Sequence, residues 1–258
     1  MSAGSMLPDK ALPPKEFCQF LIDEVKNHHA RLHHPFYLAF YDGKISMEEI
    51  RIWAKEAWGI FSLNVAINTA KLVRCQLSGI HDTTIQKNFV DIIMSEVGYD
   101  LFKGAPRAVP GHRALFLRFG ERIGISREEL ERCDRENDFL STTILARTGW
   151  LDIALRSDTI LEQVAATNCC NEFSNQLTGA RFVHAFKHHY GLSDHEIEMF
   201  AEHGVADTEH SNIGYELVEQ FADTRETQVK VLRALRKGLG IWWVITDGVA
   251  RECSKIGA

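Results

Sequence analysis

All six prolines of this 258-residue chain fall at or before Pro110. Beyond that point the strongest helix breaker is never used, and glycine is sparse until the end. Strand signals, meaning period-two alternation bounded by turn pairs, are weak throughout. The pattern predicts an all-α chain. Residues 1–10 are expected to form a flexible N-terminal tail and residues 11–258 one helical domain, since no internal repeat or low-complexity linker divides them.

Composition excludes several function classes. Hydrophobic residues make up 45% and charged residues 25%, as in ordinary soluble globular proteins. A formal net charge of −6 argues against nucleic acid or an anionic membrane held by bulk charge. No apolar run is long enough to span a bilayer, and the first ten residues lack the apolar stretch of a secretory signal. The six cysteines form no C-x-x-C pair, so they read as reduced thiols in a cytoplasmic protein.

Helix signals run the length of the chain. Pro13 and Pro14 mark a start, followed by Phe17, Phe20, Leu21 and Val25 at helical spacing. Among His28, His29, His33 and His34 no carboxylate completes a cluster, which suggests capping or surface roles. Ser46-Met-Glu-Glu49, Ser126-Arg-Glu-Glu129 and Ser193-Asp-His-Glu196 are capping boxes. The first opens a long helix whose aromatic face carries Ile50, Trp53, Ala57, Trp58, Phe61 and Val65; such a stripe is core or a pocket lining. Lys71 and Arg74, late in that helix, are expected to snorkel to the surface or to meet a substrate carboxylate. A third helix, about 82–101, carries Glu96 beside its core face. Lys103 to Gly111 is a loop, and His112 opens the next helix.

Residues 158–190 read as one long helix. Glu172 is the only acid between Glu162 and Asp194 and lies among small, apolar and amide side chains. A metal or another cation would satisfy it. His184 and His188 sit near that helix's C-terminal end, where imidazoles favour the dipole.

The segment His203-Gly-Val-Ala-Asp207-Thr-Glu-His210 is the most suggestive. At about 100° per residue, Asp207 lies about 40° round from His203 and His210 about 20° the other way. The three share one helix face, while Glu202 and Glu209 point elsewhere. Two imidazoles and a carboxylate suit iron, manganese, zinc or nickel. The Asp207-x-x-His210 spacing matches the carboxylate-x-x-His unit of dinuclear bundle sites.

Taken together, these stretches resemble the haem-oxygenase-like diiron oxidase and oxygenase family, in the superfamily of PqqC, TenA and CADD. The resemblance covers roughly residues 15–250. It rests on His34-Pro-Phe-Tyr37 with the following Asp42-Gly-Lys-Ile-Ser-Met-Glu-Glu-Ile50, and on Asp91-Ile-Ile-Met-Ser-Glu96-x-Gly98. It also rests on His112-x-x-Leu-Phe-Leu-Arg-Phe119, on Asn171-Glu172, and on Met199-Phe-Ala-Glu-His203-x-x-x-Asp207-x-x-His210. It implies a single bundle of about seven to eight helices. It also implies two Fe(II) held by Glu96, His112, Glu172, His203, Asp207 and His210, with O2 as co-substrate. The implied reaction is oxidation of a small amino acid or carboxylic acid in a biosynthetic pathway, by C–C cleavage, desaturation-type chemistry or N-oxidation. A homodimer is a candidate assembly. Tyr37 stands either beside the reacting atoms or in plain core.

Two departures from the family stand out. Fifteen residues separate Glu96 from His112, more than is usual, so residues 99–111 form an extra segment suited to a lid or a substrate-specific loop. Members that oxygenate nitrogen can add a carboxylate ligand one turn before this histidine; here that position is Val109, with Asp100 the nearest substitute. Competing readings are a metal-free thiaminase-like enzyme using Cys169 or Cys170, a cofactorless PqqC-like oxidase, and a non-catalytic iron-binding bundle.

Overall fold

The computed structural model describes residues 6–256 except 101 and 102; for residues 203–210 it describes the helical backbone and not the side chains. Helix α1, Pro14–His28, opens with proline in its first turn and buries Phe17, Leu21 and Val25. The histidine-rich run that follows is a pair of caps. His29 Nδ1 accepts from the Arg31 amide at 3.1 Å and starts α2, Ala30–His33. His34 Nδ1 accepts from the Phe36 amide at 3.0 Å and starts α3, Pro35–Tyr41. Each imidazole satisfies a backbone donor that has no intrahelical acceptor.

Helix α4, Met47–Phe61, has the full capping box expected at Ser46 and Glu49. It does not continue to Arg74. Ser62 and Leu63 form a turn, and α5, Asn64–Leu77, follows. Neither proline nor glycine causes the break. Arg147, from a distant helix, donates to the Gly59 carbonyl and to Ser62 Oγ, and Ser62 Oγ donates to Asp134. Those tertiary bonds replace the local ladder. Val65, expected on the aromatic face, is exposed.

Helix α6, Thr83–Val97, is capped by Asp82 and ends on Gly98 in the left-handed region, φ +74°. Residues 99–111, expected to be a loop, contain a minimal hairpin. Strand β1, Tyr99–Asp100, pairs antiparallel with β2, Ala105–Pro106. Next come α7, His112–Ile123; α8, Arg127–Glu136; and α9, Ser141–Arg156. The long helix expected over 158–190 is continuous but changes pitch. It runs as α10, Ile160–Ala166, a π-helical turn, Thr167–Glu172, and α11, Phe173–His188. Helix α12, Glu198–Phe221, starts after the Ser193 motif rather than on it: the Ser193 amide donates to Glu196 at 2.7 Å, but residues 194–197 form a turn. Helix α13, Arg225–Cys253, closes the bundle.

The described residues thus form thirteen α-helical segments and one π turn, more than the sequence suggests, because caps and turns divide what reads as continuous. Helix α11 packs along α12, α13 along α9 and α10, and α4 against α7. A large aromatic core joins α3, α4, α7, α11 and α12. In it Phe119, Phe186 and Phe200 have ring centroids 4.8–5.0 Å apart. A second cluster lies between α1, the π turn, α12 and α13. Each fully buried large side chain contributes about 1.5–3 kcal/mol. Among the described residues no helix is long and apolar enough to cross a membrane.

Candidate functional site

The sequence leaves fifteen residues between Glu96 and His112, yet the fold brings them together. Gly98 and Gly111 press backbone to backbone at the neck of the hairpin. A β-carbon on Gly98 would lie 2.3 Å from the Gly111 nitrogen, and one on Gly111 would lie 2.4 Å from the Glu96 carbonyl oxygen. The Arg107 amide donates to the Gly98 carbonyl at 2.9 Å. The excursion therefore leaves and re-enters at one point, and His112 Nδ1 stands 3.0 Å from Glu96 Oε2. Both side chains are buried. Asn64 Nδ2 contacts the other Glu96 oxygen at 3.4 Å.

Glu172 lies at the end of the π turn and lines the same cavity as Glu96. Pitch changes of this kind are common at functional sites. Two close approaches accompany it: a β-carbon on Gly214 of α12 would meet Asn168 at 2.5 Å, and one on Gly238 of α13 would meet the Ala166 carbonyl oxygen at 2.9 Å. Asn168 Nδ2 donates to Glu172 Oε2 at 2.7 Å. On the other side stands Lys71, 1% exposed, with Nζ 2.7 Å from Asn168 Oδ1 and 3.5 Å from Glu172 Oε1. Lys71 does not snorkel. The cation that the isolated carboxylate at 172 calls for comes from α5. Arg74, one turn on, does reach outward and donates to the Leu155 carbonyl.

The remaining expected ligands, His203, Asp207 and His210, belong to α12, and their side chains lie outside the described residues. Among the described residues no three His, Cys, Asp or Glu side chains form a metal-binding group. The described donors are nonetheless of the right chemistry for iron: two buried carboxylates and a buried imidazole, two of them already in contact. The residues fit the group. Asp100 serves the hairpin, accepting from the Lys103 amide at 3.1 Å and pairing with Lys103 Nζ at 3.3 Å, while Val109 packs on the aromatic core.

A second cavity adjoins the first, sharing Phe61 and Asn175 with it. Tyr37, Trp53, Phe182 and Trp242 form much of its wall, and Met199 and Phe200 of α12 enter it just before the histidine segment. Tyr37 is 2% exposed, and its hydroxyl accepts from Trp53 Nε1 at 3.3 Å. Arg31, a residue that sequence reasoning passes over, also lines this cavity. Its guanidinium carbon lies 4.1 Å from the centre of the Trp242 ring, and Nη1 donates to Ser174 at 3.2 Å.

Cys169 and Cys170 are fully buried and line neither cavity. Burial drives both thiols far above the ordinary thiol range; for Cys169 the neighbouring Cys18, Cys170 and Glu172 push the same way. A neutral, enclosed thiol is a poor nucleophile.

Comparison with known proteins fits this picture. The chain is 26% identical over 232 residues to a protein named 4-aminobenzoate synthase from Nitrosomonas europaea, covering 88% of this chain and 89% of that one. It is 24% identical over 247 residues to a pyrroloquinoline-quinone synthase from Cronobacter sakazakii, covering 95% and 90%. In fold it is similar to a TenA homologue from Pseudomonas syringae, with a TM-score of 0.74, 13% identity and coverage of 95% and 100%. A CADD-like protein from Nostoc punctiforme gives a TM-score of 0.69 at 12% identity, covering 92% and 98%. A family described as iron-containing redox enzymes matches residues 61–243. With most of its length so matched, and with this helical fold, the chain belongs to that haem-oxygenase-like family of redox enzymes.

Proposed function

We propose that this protein is a biosynthetic oxidase that uses O2 and two Fe(II) to oxidise a small carboxylic or amino acid. The observation that carries the reading is the closure at Gly98 and Gly111, which sets His112 3.0 Å from Glu96 across a fifteen-residue excursion. Glu96, His112 and Glu172, with His203, Asp207 and His210, would hold the metals. Iron bound there would supply the activation of O2.

The chain's own residues do the rest. Asn168 and Lys71 fix the Glu172 carboxylate, so its orientation is set before any ligand arrives. Asn64 steadies Glu96. The aromatic wall formed by Trp53, Phe61 and Phe182 keeps water from the adjoining cavity. The Tyr37 hydroxyl, held by the Trp53 indole, is the phenol that a bound substrate would meet. The relative named 4-aminobenzoate synthase supports a biosynthetic role and an acidic, ring-bearing product.

Anaerobic Fe(II) titration followed by mixing with O2, watched by absorbance and Mössbauer spectroscopy, tests the proposal. It requires binding near two irons per chain, lost in His203→Ala or Asp207→Ala, and O2 uptake stimulated by an acid substrate. Absence of specific iron binding refutes it. A thiol mechanism has the enclosed cysteines against it. A cofactorless oxidation would proceed in the presence of a chelator, which the same assay reads.

A further inference from the structure

Several half-buried arginines of this protein face carboxylates, while Arg74 and Arg225 donate to backbone carbonyls near the surface. Arg147 meets Asp134 at 2.9 Å, Arg236 meets Glu24 at 2.9 Å, and Arg118 pairs with Glu198. Arg31 differs. It is 5% exposed, more deeply buried than any of those three, yet no carboxylate among the described residues lies within ion-pair distance. One hydroxyl and one indole face contact it, and its Nε has no hydrogen-bond partner among them. An enclosed guanidinium with unused donors is costly unless an anion completes it. Its flat fork is suited to a carboxylate.

Its position says which anion. Arg31 lines a narrow cavity of about 20 Å³ walled by Tyr37, Trp53, Phe182 and Trp242, aromatic faces that must part to take a flat hydrocarbon body between them. Phe61 and Asn175 line both this cavity and the one at Glu96 and Glu172. We propose that Arg31 is the carboxylate anchor of the substrate site, and that it takes an aromatic monocarboxylate with the acid group turned away from Glu96 and Glu172. The inference rests on the oxidase reading for what happens next: the atom oxidised is at the end of the substrate remote from its carboxylate, so the carboxylate is retained.

The test uses metal-free protein, so that a failure of iron binding leaves its outcome untouched. Tryptophan fluorescence and equilibrium dialysis are read with benzoate, 4-hydroxybenzoate and the uncharged benzamide. Carboxylates should bind at least about tenfold more tightly than the amide, as expected for a charge-assisted pair. Arg31→Gln should abolish that ratio while leaving amide binding in place, and Arg31→Lys should retain part of it. Glu96→Gln and Glu172→Gln should leave it unchanged. Circular dichroism confirms that each variant is folded; if Arg31→Gln is not, the ratio in Arg31→Lys decides. Equal binding of acid and amide by the parent protein, no detectable carboxylate binding, or an undiminished ratio in the Arg31 variants overturns the proposal.

Discussion

Replacing Gly111 by alanine tests whether the hairpin neck assembles the site. Gly111 has φ −64° and ψ 156°, a conformation any residue adopts, so the effect is steric alone. The new β-carbon would lie 2.4 Å from the Glu96 carbonyl oxygen, 2.6 Å from the Val97 carbonyl carbon and 2.7 Å from the Gly98 nitrogen. All three are backbone atoms, which cannot swing aside. Real contacts begin near 3.0 Å, so the strands of the neck must part by at least 3.0 − 2.4 = 0.6 Å. His112 is the next residue and Glu96 is on the other side. A ligand constellation tolerates about 0.5 Å of displacement. Overpacking of this kind costs about 1–3 kcal/mol, and loss of ligand orientation costs about ten- to a hundredfold in metal affinity. The assay is anaerobic Fe(II) binding beside a thermal melt. Gly104→Ala is the control: it lies in the same hairpin at φ +60° with nothing within 4 Å, so it is strained but displaces no neighbour. Gly111→Ala should weaken iron binding and Gly104→Ala should leave it intact. Wild-type iron affinity in Gly111→Ala, or equal losses in both variants, would refute the reasoning.

Further outcomes follow from other contacts. Lys71→Met removes the cation beside Glu172 and leaves a buried carboxylate without it, so the metal-free protein should lose about 3 kcal/mol. Adding Mn(II) or Fe(II) should then raise the melting temperature more in the variant than in the parent; equal shifts would count against a shared site. Burial, then the charges of Arg31 and His33, holds the His29 imidazole well below its ordinary range. Below the unfolded pKa of about 6.5 only the unfolded chain takes up that proton, so this residue costs stability as pH falls, by about 1.4 kcal/mol per pH unit. His29→Asn keeps a capping acceptor and should flatten the melting profile between about pH 6.5 and 5; an unchanged slope would sink the assignment. Cys169→Ala and Cys170→Ala should retain substrate-dependent O2 uptake, and loss of turnover in a folded variant would revive a thiol mechanism.

The helical class was legible because helix signals are local. Proline placement, capping serines and apolar spacing act within a few residues: the box at Ser46 forms in full, and Ser126 caps its helix by accepting from the Glu129 amide. The break between α4 and α5 was not legible. Its cause, Arg147 bonding to Gly59 and Ser62, comes from 85 or more residues away in sequence. The histidine run shows the same limit from the other side. Its lack of a nearby acid pointed to capping, which His29 and His34 perform, but His34 also meets Asp247 of α13 at 3.1 Å. No pattern within the run announces that partner.

The site follows the same rule with a sharper lesson. Glu172 could be singled out because its own segment offers it an amide, Asn168, but no cation, and a carboxylate that calls for a cation does not name the one it will find. Lys71 answers it from 101 residues away, and a lysine late in an amphipathic helix looks identical whether it snorkels or is enclosed. Arg31 hides more thoroughly, since a one-residue connection, His29, and a four-residue helix turn it inward beneath Trp242. The two cations stand on two neighbouring cavities. Lys71 balances a protein carboxylate and so pre-sets Glu172, whereas Arg31 is left with donors that the described protein does not fill. A site that satisfies its own acid with one cation and withholds the other is built to receive an acid from outside.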